Sequence, residues 1–282
     1  MKAYVTLLST LSYLDGVLML NYSLRNVEAK YPLYCLLPQD IESDVVDILK
    51  KAEIHYILLK GQVYSNMVST NKQDANWDFS SWNYTFDKIR IWGLTQFEKI
   101  IFVDSDIIIV RNIDHLFERE AFTASLAGVL FPTNHNLDFL NSGLMVVVPD
   151  LEIEHKMVDL AQRIIPQMQY DGKPVGDQDI INAYYPEWFG NKQLILDDGY
   201  NLYAHYLQYH IRHEGYSLTD RGRPIYAIHY VGSEKPWMIN SLSMFCKMCK
   251  RVFPNVFFII AVLCYKYMLR KAKNQFNPKQ DI

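Results

Sequence analysis

The sequence lacks the features of a secreted, disulfide-bonded protein. It has four cysteines in 282 residues, one inside a predicted strand and three near the C-terminal end, so a disulfide framework is excluded. The Cys246 and Cys249 pair has no second cysteine pair to complete a zinc site. Residues 1–9 pass straight into a strand pattern, without the apolar stretch and small-residue cleavage site of a signal peptide. We therefore expect a reducing, cytoplasmic location.

The sequence also lacks a glycine-rich first turn and an overall basic surplus. The turn after the first predicted strand, Leu8 to Tyr13, contains no glycine, which argues against a dinucleotide-binding oxidoreductase. Residues 1–239 carry 20 basic and 30 acidic side chains, so nucleic acid is not expected as a partner. Residues 240–282 carry eight basic side chains and one acidic side chain, which brings the net charge to −3.

The C-terminal tail, residues 240–282, combines this basic charge with an apolar run. Residues 252–265 are 14 uncharged positions rich in Phe, Ile, Val and Leu, and Lys266, Arg270 and Lys271 follow. A membrane-spanning helix needs about 20 apolar residues. We therefore expect a catalytic domain at 1–239 and a helical tail that contacts the inner face of a membrane. Two alternatives stay open, namely a helix packed on the domain or a partner, and a marginal spanning helix.

Strand and helix patterns alternate near the N-terminus. Strands are predicted at Ala3–Leu8, Leu33–Leu37 and Ile54–Leu59, and apolar residues at helical spacing separate them. This alternation predicts a three-layer α/β domain with a mostly parallel central sheet. Residues 61–80 form a polar stretch too long for an ordinary connection, which predicts a lid or an acceptor loop. A helix is also expected at Trp82–Phe97 and a strand at Gly143–Val148.

Two carboxylates follow the apolar run at residues 100–103. Side chains at positions i and i+2 of a strand point to the same face, so Asp104 and Asp106 are expected together at one sheet edge. Paired carboxylates favour a hard divalent cation, and an imidazole, here from His229, favours Mn²⁺ over Mg²⁺ or Ca²⁺. An Asp-x-Asp sequence after a strand is also typical of a turn or a helix cap, and that alternative stays open at this point.

Further motifs follow the N-terminal strand in a characteristic order. They are a helix with Lys88, then Asp104-Ser-Asp106, Asn141-Ser-Gly143, Gly176-Asp-Gln178 and a closing His229-x-x-Gly-x-x-Lys-Pro-Trp237. This order resembles glycosyltransferase family 8, the group of glycogenin and galactinol synthase, over residues 3–238. The resemblance implies the GT-A fold of nucleotide-diphospho-sugar transferases, a UDP-sugar donor, usually Mn²⁺ as the metal, and retention of the anomeric configuration.

The residues of the family carry over position by position. The resemblance implies a metal site formed by Asp104, Asp106 and His229. It also implies diphosphate contacts from Gly232 and Lys235, because glycine lets the backbone come close and an ammonium group supplies a point charge. Uracil and ribose are expected on four residues after the first strand, which are Leu7, Ser9, Thr10 and Tyr13. Glycogenins have Asn where this sequence has Thr10, so its contact is left open.

Other matches concern the donor sugar and the catalytic residues. Donor contacts are implied for Lys88, for the backbone of Ser105, and for Asn141, Ser142, Gly143, Asp177 and Gln178. Lys88, Asp177 and Gln178 are the implied catalytic residues. Asp177 either attacks the anomeric carbon or stabilises positive charge there, and we favour the second role, with the acceptor hydroxyl attacking from the leaving-group side. The structural alternative is that Asp177 caps the following helix.

Substrates and partners are expected from the same resemblance. UDP-glucose and UDP-galactose are the favoured donors, and Mg²⁺ is the second choice of metal. The acceptor is expected to be a hydroxyl of a glycan, a polyol or a lipid-linked saccharide. The apolar, basic tail favours the lipid-linked acceptor. The sequence leaves the oligomeric state open, with a dimer among the options.

Two other classes of protein share parts of this pattern. Phosphohydrolases with an aspartyl nucleophile also have an apolar run followed by Asp-x-Asp, but three strand-helix units precede Asp104 here. That hypothesis also leaves the motif from His229 to Trp237 unexplained. A non-catalytic UDP-sugar-binding scaffold is the second alternative, and the complete set of carboxylates, histidine and lysines argues against lost chemistry.

Overall fold

A computed structural model describes residues 1–39, 41–60, 85–127, 138–173, 175–232 and 235–276. The strands in this part are β1 (Lys2–Leu7), β2 (Leu33–Leu37), β3 (His55–Leu58), β4 (Lys99–Val103), β5 (Ile107–Ile109), β6 (Thr123–Leu126), β7 (Leu140–Val147), β8 (Ile195–Leu196), β9 (Leu202–Tyr203), β10 (Tyr216–Ser217), β11 (Arg223–Pro224) and β12 (Ala227–His229). The α-helices are α1 (Leu14–Asn26), α2 (Ser43–Lys51), α3 (Leu151–Tyr170), α4 (Asp177–Tyr184), α5 (Leu207–His213), α6 (Leu242–Val252) and α7 (Val256–Phe276). Several 3₁₀ helices connect them, including Phe86–Gly93 and Pro236–Met238.

The central sheet has seven strands in the order β3-β2-β1-β4-β7-β6-β8. Strands β3, β2, β1 and β4 are parallel, because helical crossovers connect β1 to β2 and β2 to β3. Strand β7 runs antiparallel to both of its neighbours, β4 and β6, and β8 is parallel to β6. The predicted α/β class with a mostly parallel sheet is confirmed.

Strand alternation divides the apolar side chains between two faces of this sheet. Along β1, Ala3 and Val5 belong to one buried cluster and Tyr4 belongs to the other. The first cluster includes apolar residues of α3 and of the Phe86–Gly93 helix, and the second includes those of α1 and α2. The predicted three layers follow from this division.

A small second sheet brings the distant closing motif to the end of the central sheet. Strand β12 pairs antiparallel with β5 and parallel with β9. His229 of β12 lies opposite Ile107 of β5, and Ile107 directly follows Asp106 in the sequence. The register of this pairing therefore places the imidazole beside the carboxylates.

Three predicted elements differ from the structure or lie outside its described part. Residues 82–84 of the expected helix at Trp82–Phe97 lie outside the described residues, and a 3₁₀ helix spans Phe86–Gly93 in the rest. Its β-branched and aromatic residues and its final glycine are weak α-helix formers. Strand β7 begins at Leu140 rather than Gly143, because Leu140 and Asn141 pair with Leu126 and Ser125 of β6 beyond an irregularity in the register. The predicted lid or acceptor loop at 61–80 lies outside the described residues.

Helix α7 of the C-terminal tail packs one face on the rest of the chain. Its buried side chains are Phe258, Ala261, Val262, Tyr265, Leu269, Ala272 and Phe276. Tyr265 is fully buried, and its ring contacts Tyr230 and Trp237 at centroid distances of 5.0 and 5.6 Å. Lys273 pairs with Asp15 of α1 at 2.7 Å. This face therefore supports the closing motif directly.

The opposite face of α7 carries an apolar stripe. The outer stripe consists of Val256, Ile260, Leu263 and Tyr267, which are 45% to 61% exposed and recur at helical spacing. Arg270 and Lys271 continue it as exposed basic residues. Among the described helices, none is long and apolar enough to cross a membrane. The predicted membrane contact concerns this outer face and stays a prediction.

The hydroxyl of Tyr265 gives a first prediction. Its oxygen is buried, and no partner lies within hydrogen-bonding distance in the described part of the chain. Tyr265→Phe keeps the ring contacts and removes an unpaired polar group, so the free energy of unfolding should stay constant or rise by up to about 1 kcal/mol. Tyr265→Ala should lower it by about 3 to 5 kcal/mol. Urea denaturation measures both, and a clearly destabilised Phe variant would contradict the assignment.

Candidate active site

Asp104 and Asp106 lie in a turn that joins β4 to β5. The N–H of Ile107 donates to the carbonyl of Asp104 at 3.0 Å and closes this turn. The carboxylates therefore come together through the turn, rather than through the strand alternation that the spacing suggested. Ligand atoms of Asp104, Asp106 and His229 all lie within 4.8 Å of one another, and we call these three residues the metal triad.

His229 reaches the triad because its backbone and its ring are both positioned by neighbours. The N–H of Tyr230 donates to the carbonyl of Asp106 at 2.9 Å, and His229 Nε2 lies 3.1 Å from Asp106 Oδ1. A β-carbon added to Gly143 would lie 2.7 Å from His229 Cε1. Only glycine at this position of β7 leaves space for the imidazole.

Replacing Gly143 tests that requirement. In Gly143→Ala the new methyl group should displace the His229 ring and lower Mn²⁺ affinity by about tenfold, as disturbed support of a metal ligand commonly does. Gly190→Ala is a matched control, because a β-carbon there would have no described atom within 4 Å. Titration of Mn²⁺ by electron paramagnetic resonance measures both variants. Equal affinity in the two variants would count against the predicted displacement of the ring.

Lys88 connects the triad to Asp177. Its Nζ lies 2.9 Å from Asp104 Oδ1 and 2.9 Å from Asp177 Oδ2, and it donates to Ser142 Oγ at 3.1 Å. Burial would lower the pKa of Lys88, but Asp104 and Asp177 raise it above its ordinary value. Burial would likewise raise the pKa of Asp177, but Lys88 and the Ser142 hydroxyl, which donates to Oδ2 at 2.6 Å, hold it below its ordinary value. The lysine is therefore a shared counter-ion for the buried carboxylate of Asp177 and the partly exposed carboxylate of Asp104.

Lys235 of the closing motif lies on the other carboxylate of the triad. Its Nζ is 2.5 Å from Asp106 Oδ2 and donates to the carbonyl of Tyr230 at 2.9 Å. Burial would raise the pKa of Asp106, but Lys235 and His229 together hold it well below its ordinary range. Burial raises the pKa of Asp104 to about 6, with Lys88 opposing that rise and Asp106 adding to it. The two carboxylates of the turn therefore have different electrostatic environments.

The residues implied for the nucleoside lie where β1 ends. Leu7 is buried at the end of β1, Ser9 and Thr10 are partly exposed, and Tyr13 packs edge-on against Trp237 at 5.6 Å. The Trp237 indole N–H donates to the carbonyl of Ser12 at 2.7 Å. This bond fastens the closing motif to the first turn of the fold.

Two backbone features lie near these residues. The carbonyl of Ser105 faces Gly16 of α1 so closely that a β-carbon there would collide with it. Gly232 has a φ of +104°, a conformation that other residues rarely adopt. Glycine is therefore required at position 16 for close packing of α1 on the turn and at position 232 for the positive φ angle.

Asp177 and Gln178 begin α4 but are not used as its cap. The N–H of Gly176 donates to Asp179 Oδ2 at 2.8 Å, so Asp179 supplies the carboxylate of the capping box. The carboxylate of Asp177 faces Lys88 instead, and the alternative that Asp177 caps the helix is wrong. Gln178 Oε1 accepts from Asn141 Nδ2 at 3.0 Å and from the Ser142 N–H at 3.2 Å.

Comparison with known proteins identifies the family of this chain. Its residues 4–241 match the model described as glycosyl transferase family 8. The chain belongs to this family. A glycogenin-1 from Caenorhabditis elegans is 29% identical over 239 residues, which cover 84% of this chain and 51% of the relative. The chain therefore spans about half the length of that relative.

Solved glycosyltransferases share the fold of this family 8 chain. The galactosyltransferase LgtC, in complex with donor and acceptor sugar analogs, has a TM-score of 0.63 at 13% identity and covers 96% of both chains. The glycosyltransferase GlyE of Streptococcus pneumoniae has a TM-score of 0.57 at 18% identity, with 96% of this chain and 63% of that chain covered. The expected GT-A fold is confirmed.

The donor set in this family 8 chain fits a divalent cation. Two carboxylates and one imidazole converge in the metal triad, which suits Mn²⁺ better than Ca²⁺. Among the residues that the structure describes, Asp104, Asp106 and Asp177 face two ammonium groups, those of Lys88 and Lys235, so one negative charge is left over in this set. A bound cation would remove this imbalance.

Sequence reasoning missed one buried residue of this site. Asn201 is 2% exposed, and its Oδ1 lies 2.8 Å from His229 Nδ1. Its Nδ2 donates to Asn141 Oδ1 at 2.6 Å. No motif marks Asn201, because its position depends on the pairing of the two-residue strand β9 with β12. Asn201 could have been identified only by predicting that β9 pairs with β12.

Proposed function

We propose that this family 8 glycosyltransferase moves a hexosyl group from a UDP-sugar to an acceptor hydroxyl with retention of configuration. The observation that carries the proposal is the buried cluster in which Lys88 joins Asp104 of the metal triad to Asp177. The relative from C. elegans is named a glycogenin, and the LgtC structure holds donor and acceptor sugar analogs. UDP-glucose and UDP-galactose are the proposed donors, with Mn²⁺ preferred over Mg²⁺.

The chemistry begins with the residues that would meet the diphosphate. Asp104, Asp106 and His229 would hold the metal, which when bound supplies positive charge for the diphosphate as the bond to the sugar breaks. Lys235 already lies on Asp106 and would add its own charge to the leaving group. Gly232 has no side chain and adopts a left-handed backbone conformation, so its backbone could approach the phosphates closely.

Asp177 is proposed to stabilise positive charge at the anomeric carbon rather than to attack it. Two donors, Lys88 Nζ and Ser142 Oγ, bond the same oxygen of its carboxylate, at 2.9 and 2.6 Å. Such bonds keep the carboxylate charged and make it a weaker nucleophile. The acceptor hydroxyl would then attack from the leaving-group side and pass its proton to a phosphate oxygen. Gln178 and Asn141 would hold the sugar beside this carboxylate.

A panel of UDP-sugars tests the proposal. With Mn²⁺, the chain should release UDP from a UDP-hexose faster than from other UDP-sugars, and His229→Ala should abolish most of that release. Mass analysis of the product with added acceptors would identify the linkage. Phosphate release from an aryl phosphate that His229→Ala leaves unchanged would favour a phosphohydrolase. Tight UDP-sugar binding without UDP release would favour a non-catalytic scaffold.

The outer stripe of α7 is proposed to contact an anionic membrane surface. Its apolar side chains can enter the headgroup region while Arg270 and Lys271 meet anionic lipids, and no acidic residue occurs between positions 235 and 280. Basic side chains without acidic neighbours complement the negative charge of an anionic lipid surface. This complementarity also supports a lipid-linked saccharide as the acceptor and a location at the inner face of a membrane.

Vesicle sedimentation tests this contact. Ile260→Asp should reduce binding to vesicles that contain phosphatidylserine. The unchanged chain should bind vesicles of phosphatidylcholine alone more weakly than vesicles that contain phosphatidylserine. Leu218→Asp is the matched control, because Leu218 is 54% exposed and lies far from the tail in sequence. If Ile260→Asp changed the sedimentation coefficient without vesicles and left vesicle binding intact, the stripe would be an interface between copies of the chain.

A further inference from the structure

A series of side-chain amides extends from the metal triad toward Asp177. His229 Nδ1 bonds Asn201 Oδ1, Asn201 Nδ2 bonds Asn141 Oδ1, and Asn141 Nδ2 bonds Gln178 Oε1, at 2.8, 2.6 and 3.0 Å. Asn201 is the central member of this series. It does not contact the carboxylates of Asp104, Asp106 and Asp177, and it lies outside the motifs of the sequence. Its two bonds join the metal triad to the residues that begin β7 and α4.

Backbone donors determine the direction of every bond in this series. The N–H of Gly143 donates to Asn141 Oδ1 at 2.9 Å, and the N–H of Ser142 donates to Gln178 Oε1 at 3.2 Å. A backbone N–H can only donate, so both of these side-chain atoms must be acceptor oxygens. Asn141 Oδ1 then needs the amide nitrogen of Asn201, and this leaves Asn201 Oδ1 as the acceptor that faces the imidazole.

The imidazole tautomer follows from that orientation. Because Asn201 Oδ1 can only accept, His229 Nδ1 must carry the proton and donate it. Nε2, which lies 3.1 Å from Asp106 Oδ1, is then the ring nitrogen that can give its lone pair to a cation shared with Asp106. Metal ligands commonly depend on such a bond from the second imidazole nitrogen.

We propose that Asn201 is a positioning residue that fixes the orientation and tautomer of His229 for the metal. The inference rests on the metal site of the proposed function and extends it to a residue that makes no contact with the ion. Asn201 acts through its Oδ1 on His229, and through its Nδ2 it holds Asn141 in register with the same site.

Two substitutions separate these roles. Asn201→Ala removes the acceptor for His229, so Mn²⁺ affinity of the full chain should fall by about 10- to 100-fold. Asn201→Asp keeps an acceptor oxygen for Nδ1, so its Mn²⁺ affinity should stay close to that of the unchanged chain. It loses the N–H donor to Asn141, so its kcat for UDP release should still fall. Asn21→Ala is the control for folding, because Asn21 is another buried amide, with one bond to the Ala52 carbonyl at 2.9 Å.

Electron paramagnetic resonance of Mn²⁺ added to each purified chain measures the affinities and the coupling to the imidazole nitrogen. That coupling should persist in Asn201→Asp and weaken in Asn201→Ala. If Asn201→Ala bound Mn²⁺ as tightly as the unchanged chain, or if Asn201→Asp lost as much affinity as Asn201→Ala, the inference would be wrong. If the unchanged chain bound no Mn²⁺, the metal assignment of the proposed function would fail as well.

Discussion

Asp106→Asn is expected to lower the rate of Mn²⁺-dependent UDP release on the order of 10³-fold, since metal stabilisation of developing charge supplies several kcal/mol. The substitution removes the charge of a carboxylate that two side chains share. Its Oδ1 faces His229 Nε2, and its Oδ2 is the partner of the buried Lys235 ammonium group. Loss of its charge therefore weakens the metal site and leaves a buried cation without its counter-ion.

Steady-state kinetics and Mn²⁺ titration check this expectation together. Asp220→Asn is the control, because Asp220 pairs with Arg111 on the surface and its side chain is 91% exposed. The control should keep both the rate and the Mn²⁺ affinity. Full metal-dependent activity in Asp106→Asn would remove Asp106 from the proposed metal site.

Lys88→Met is expected to lower the free energy of unfolding by about 3 to 5 kcal/mol, because removing one member of a buried ion pair leaves the other uncompensated. Here one ammonium group is the shared counter-ion of two carboxylates, and the lysine side chain is only 4% exposed. The double variant Lys88→Met, Asp177→Asn should recover part of the loss, because one of the two unpaired charges is then gone. Transfer activity should be lost in both variants.

Chemical denaturation measures the single variants and the double variant as one cycle. Lys156→Met is the control, since Lys156 pairs with Glu152 at 2.6 Å on the exposed side of α3. That variant should unfold at an unchanged denaturant concentration. A Lys88→Met protein as stable as the control would show that Asp104 and Asp177 do not depend on the lysine.

Much of the fold could be predicted because strong local patterns produce it. The strand Leu33–Leu37 can be predicted with the boundaries that the structure has, since a short run of leucine, tyrosine and cysteine suits a strand that is buried in a parallel sheet. Asp104, Asp106 and His229 were grouped by motif, and the structure brings their ligand atoms together. The pairing of β5 with β12 could not be predicted, because it joins segments about 120 residues apart.

Other contacts depend on tertiary structure and have no local signal. The bond from Lys235 to Asp106 and the bond from Asn201 to His229 each depend on the second sheet. The run at residues 252–265 is apolar on both faces of a helix, so its sequence could not show which face α7 buries. The packing of one face depends on Tyr230 and Trp237, which contact Tyr265 in the folded chain.

The packing of Tyr265 on Trp237 has a practical consequence for expression of the protein. Shortening the chain before α7 is an obvious way to remove its exposed apolar stripe and improve solubility. Such a truncation would also remove the ring that supports Trp237, whose indole is bonded to Ser12 in the first turn. Charged substitutions at Ile260 and Leu263 would change the surface and leave that support in place. The tail should therefore be redesigned on its outer face rather than deleted.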